Sequence, residues 1–74
     1  MKNEDIIAEI AKYVEDHGIR RGWLAEKIGM PFSSLSLMLS NKRGLSVVEY
    51  VNICEALGES LDYFVDKAKE ALTA

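Results

Sequence analysis

The stretch LAEKIGMPFSSLSLML, residues 24–39, carries two short apolar patterns of helical period separated by a glycine and a proline. Leu24, Ala25 and Ile28 fall at i, i+1 and i+4, the spacing of one helix face; a half-buried strand would alternate polar and apolar instead. Gly29 follows at once, and glycine enters the left-handed region that ends a helix without a Cβ penalty. Pro31 disfavours helical geometry at Met30 but suits the first turn of a helix. A new helix is therefore expected from about Pro31 or Phe32, with Leu35, Met38 and Leu39 as its inward stripe.

The same period extends outward in both directions. Upstream, Ile6, Ile10 and Val14 recur every fourth residue with Ile7 and Ala11 beside them. Asn3 or Asp5 is the expected cap of this first helix, and Gly18 its end. Downstream, Ser40 to Gly44 reads as a loop, and Ser46-Val47-Val48-Glu49 as a capping box in which serine and glutamate each satisfy an orphan amide. Tyr50, Ile53, Cys54 and Leu57 then make an i, i+3, i+4, i+7 face that stops at Gly58. Ser60 is the expected cap of a last helix striped by Leu61, Phe64, Val65, Ala68 and Leu72. Five helices with short connections and no linker or repeat predict one compact all-α domain over residues 1–74.

Composition narrows the function. A 74-residue chain with 49% apolar and 28% charged residues is ordinary for a folded soluble protein. Its core is thin, since one of this size yields only ~3–5 kcal/mol. The single cysteine, Cys54, excludes an internal disulfide and a CxxC zinc site. No apolar run reaches the length of a membrane span, and the opening MKNEDIIAEI places acids where a signal peptide needs lysines. A reducing cytoplasm, with no membrane partner, is the expected compartment. The net charge of −3 is unevenly spread. Residues 19–46 hold Arg20, Arg21, Lys27, Lys42 and Arg43 against Glu26 alone, whereas the remaining residues hold four lysines and eleven acids. A polyanion would therefore have to be met through the basic middle.

Two short helices joined by a glycine-containing turn form a helix-turn-helix, whose second member can enter the major groove of DNA. The residues from Leu24-Ala25 through Gly29 to Ser33-Ser34-Leu35-Ser36 resemble the phage repressor and Cro type of helix-turn-helix protein. The similarity continues through the loop Ser40-Asn41-Lys42-Arg43, the capped start at Leu45-Ser46, the helix ending Ile53-Cys54-Glu55-Ala56-Leu57-Gly58, and Ser60-Leu61-Asp62-Tyr63-Phe64. It spans residues 19–64 well and the first helix loosely. The resemblance implies a five-helix, lambda-repressor-like fold that binds operator DNA as a two-fold homodimer. It implies phosphate contacts at Arg20, Arg21, Asn41, Lys42 and Arg43, and base readout at Phe32, Ser33, Ser36 and Leu37. The chain departs from the family twice. Phenylalanine, serine and leucine stand where the family often has glutamine, arginine or asparagine, and Pro31 replaces a common serine or threonine cap.

Other residues read more plainly. Trp23 either closes the end of the core or lies against DNA or a partner. His17 suits the carboxyl end of the first helix, where the dipole favours a cation. Cys54, Met30 and Met38 read as core. No carboxylate pair converges with a nucleophile, a metal-ligand spacing or a phosphate loop, so no catalysis, cofactor, metal or small-molecule ligand is expected. The sequence points to a DNA-binding transcriptional regulator, most simply a repressor. The alternative is a protein-interaction module, antitoxin-like or antirepressor-like, that docks through the apolar face of the third helix.

Overall fold

The computed structural model describes residues 1–74 and contains five helices and no strand. They are α1 (Asn3–Asp16), α2 (Arg21–Ile28), α3 (Phe32–Leu39), α4 (Val47–Leu57) and α5 (Tyr63–Thr73). Helix α1 packs against α3 and α5, and α2 packs against α3 and α4, within a body of 33 × 25 × 23 Å. No helix is long and apolar enough to cross a membrane.

The inward stripes meet in one cluster that includes Ile7, Ile10, Val14, Leu24, Ala25, Leu35, Met38, Leu39, Ile53, Cys54 and Phe64. Met30 and Ile28 pack on its margin. Phe64 is fully buried, with Tyr13 and Tyr63 edge-on to its ring at centroid distances of 5.4 and 5.0 Å. Such edge-on pairs set the positive ring edge against the negative face. Phe64 thus joins the core as its stripe implies, and Tyr63 packs against it; of the large apolar residues on that side, Leu61 and Leu72 remain exposed.

Helix ends follow local chemistry where that chemistry is sufficient. Gly29 and Gly58 adopt φ of 68° and 71°. Behind them the amides of Met30 and Glu59 return to the carbonyls of Ala25 and Cys54 at 2.9 and 3.0 Å, which satisfies orphan carbonyls of α2 and α4. The capping box forms as expected: Ser46 Oγ accepts from the Glu49 amide at 3.1 Å, and Glu49 Oε1 accepts from the Ser46 amide at 3.0 Å.

Two other ends differ from expectation. Lys2, not Asn3 or Asp5, flanks α1, and Asp5 reaches back from the third helical position to accept the Lys2 amide at 2.7 Å. Asn3 is diverted by a tertiary contact: its amide donates to the Leu45 carbonyl at 2.8 Å and accepts the Leu45 amide at 2.7 Å. Helix α5 starts at Tyr63 with Asp62 before it, and Ser60 contributes only its carbonyl, to the Tyr63 amide at 3.1 Å. Leu61 therefore sits in a turn, where the Tyr50 hydroxyl donates to its carbonyl.

Leu35 has no exposed surface and lies at the meeting of α3 with the rest of the core. Leu35→Ala is expected to cost about 2–5 kcal/mol in urea unfolding. A cost below about half a kcal/mol would show that α3 is not packed in this way.

Candidate nucleic-acid interface

Burial of Leu35, Met38 and Leu39 fixes the rotation of α3 about its axis. At about 100° per residue these three occupy one side, and Phe32, Ser36, Ser33 and Leu37 follow one another across an outward strip about 140° wide. Phe32 and Leu37 are 57% and 47% exposed, so α3 leaves two large apolar side chains in water beside its buried stripe. Ser33 is exposed and Ser36 half-buried. All four residues expected to read bases thus share one face.

The cations expected to hold phosphates do not form one group. Arg20 and Arg21 are exposed at the amino end of α2, beside the carboxyl end of α1, where Arg21 helps line a shallow depression with Val14, Gly18 and Ile19. Positive charge here opposes the helix dipole, and neither arginine has a carboxylate partner. An added Cβ at neighbouring Gly22 would meet no heavy atom, so packing does not demand glycine there. The Asn41–Arg43 loop lies instead at the amino end of α1, against Asn3 and Glu4. Since α1 has 14 residues, the two basic groups are separated by roughly 20 Å.

Within that loop the three residues have different fates. Asn41 takes φ 58°, the left-handed conformation that asparagine tolerates best after glycine. It closes α3: the Asn41 and Lys42 amides donate to the Met38 and Leu37 carbonyls at 2.9 Å each. Its side chain donates to the Glu4 carbonyl at 3.3 Å. Arg43 grips Glu49 with two parallel bonds of 3.1 and 2.7 Å, the fork geometry in which guanidinium and carboxylate match best. Lys42 alone is exposed and unpaired. The expected phosphate contacts at Asn41 and Arg43 thus already have intramolecular partners, and the free cations are Arg20, Arg21 and Lys42.

Glu49 is the residue whose second role the sequence leaves unread, since the capping box accounts for it locally. Its carboxyl is pulled from 4.5 down to about 2, first by the Arg43 hydrogen bonds and then by the Ser46 amide. Val47 and Val48, in the first turn of α4, are also more exposed than any other large apolar residue. Trp23 is half-exposed on α2 and does not close the core. His17 stacks on Tyr13 at 3.8 Å, and burial pushes the Cys54 thiol up, away from the reactive thiolate. No group of three or more His, Cys, Asp and Glu side chains is placed to hold a metal ion.

The depressed Glu49 carboxyl has a signed consequence. Its contribution to stability is complete above about 4.5 and is lost as pH falls through about 2. Glu49→Gln keeps a residue able to complete the capping box but removes the charge on Arg43's partner. The variant should be less stable than the parent at pH 7, with the difference closing between pH 5 and 2 in urea unfolding; a difference independent of pH would contradict the pairing. No protein-family model, curated protein or solved structure matches the chain, so the function of these residues rests on the geometry described above.

Proposed function

We propose that the chain is a sequence-specific DNA-binding regulator of the phage repressor and Cro type, in which α2 and α3 act as a helix-turn-helix. Helix α3 enters the major groove of an operator, and a homodimer places two such helices about one helical turn apart. Repression would be steric, by occupying DNA that polymerase needs. The observation that carries this reading is the outward strip of α3. Its opposite side is anchored by three buried residues, yet Phe32, Ser33 and Leu37 are exposed with half-buried Ser36 between them, and unpaired cations lie beyond both ends of α1. The Asn41 turn and its bond to α1 support the reading by holding Lys42 at the end of α3.

The exposed phenyl and isobutyl groups favour one second reading, a protein-interaction module docking through the same strip. Salt separates the two. With Arg20, Arg21 and Lys42 free in each of two copies, log K should fall against log salt with a slope of about −5. Engagement of both Arg43 side chains as well would steepen it to about −7. Arg21→Ala should weaken binding to every duplex alike and flatten the slope by about 2 for a dimer. Fluorescence anisotropy across a salt series checks both expectations. Affinity for duplex DNA that is absent, or indifferent to salt, would favour the protein partner.

A further inference from the structure

Resting on the DNA-binding reading, we propose that α3 selects its site through the C5-methyl groups of pyrimidines, with Phe32 and Leu37 as the specificity-determining side chains. The chemistry of the strip leaves little else. Helix α3 is FSSLSLML, with no charged and no amide side chain. The bidentate hydrogen bonds by which arginine reads guanine, or asparagine and glutamine read adenine, are therefore not available from this helix. Ser33 and Ser36 each offer a hydroxyl, which serves as donor or acceptor and discriminates weakly.

The apolar side chains discriminate by a different rule. Nearly every group that a base presents in the major groove is a hydrogen-bond donor or acceptor, and a phenyl or isobutyl group laid over one strips its water and returns nothing. The exception is the methyl group on C5 of thymine, which 5-methylcytosine shares. Against it, the same side chains remove apolar surface from water on both partners. Phe32 and Leu37 stand about 7.5 Å apart along the helix axis and flank the two serines. That separation exceeds twice the ~3.4 Å rise of one base pair, so the two side chains are far enough apart to contact different base pairs. The cations Arg20, Arg21 and Lys42 complement the phosphates but carry no base information. Specificity then falls to the two methyl contacts in each half-site.

The test begins with selection of the full chain on a random-sequence duplex pool at low salt. The enriched duplex is then synthesised with thymine or with uracil, which lacks only the C5 methyl. Each contacted methyl should be worth about fourfold in Kd, and the two in one half-site about 15-fold together. Replacing cytosine by 5-methylcytosine at a contacted position should recover about fourfold, which separates the methyl group from thymine as such. In Leu37→Ser and Phe32→Ser the uracil penalty should vanish at one position each. Both side chains are exposed and outside the core, and circular dichroism checks that the variants stay folded. Enrichment of no sequence, a uracil duplex bound within twofold of its thymine counterpart, or variants that keep the whole penalty would each overturn methyl readout while leaving DNA binding intact. Absence of salt-dependent binding to any pool would overturn the DNA-binding reading and this inference with it.

Discussion

Helix α3 is short, eight residues, and a helix of that length does not hold its shape or its orientation in water unaided. What holds it is the insertion of Leu35, Met38 and Leu39 between α1 and α2, supported from the carboxyl end by the left-handed turn at Asn41. This anchoring decides which four side chains face outward. It also decides where the loop after α3 emerges, because that loop is tied to α1 through Asn3 and Asn41. A change at the inward stripe would thus alter the outward face without touching it.

Charge is rationed on the same surface. Acids dominate α1 and α4 and stand at Glu59 and Asp62 before a charge-balanced α5, so a polyanion is repelled from several directions and best met through the basic middle. The fold narrows that opening further. Arg43 is held by Glu49, a pair that also completes the amino-terminal cap of α4, so one carboxylate links loop geometry to helix capping. Of the cations expected to hold phosphates, the three left unpaired, Arg20, Arg21 and Lys42, sit toward opposite ends of α1. Their arrangement would hold a long anion at two places and suits a small one poorly.

Much of this is legible in the sequence because it is local. Gly29, Gly58 and the Ser46–Glu49 box act within a few residues of themselves, and the structure repeats them as read. The stripe at Leu35, Met38 and Leu39 is equally a matter of period. The readings that changed depend on residues distant in the chain. Asn3 leaves its expected capping role for Leu45, 42 positions away. Phe64 reaches the core as its stripe implies, but the edge-on contact it makes there with Tyr13 is one that no period within α5 encodes. Arg43 and Glu49 are only six residues apart, but their pairing requires the loop to fold back toward α4. An arginine in a basic loop gives no sign of it. The four outward residues of α3 were legible as a set, whereas the division of the cations into free and paired was not.

The central claim is that the strip of α3, together with Arg20, Arg21 and Lys42, is the surface that meets DNA. Backbone amide shifts of the labelled chain, followed during titration with a random-sequence duplex at low salt, test it most directly. The account predicts changes concentrated at residues 20–22, at Phe32, Ser33, Ser36 and Leu37, and at Lys42, with the outer face of α5 unmoved. Changes centred on Leu61 and Leu72, or no saturable change at any residue, would contradict it.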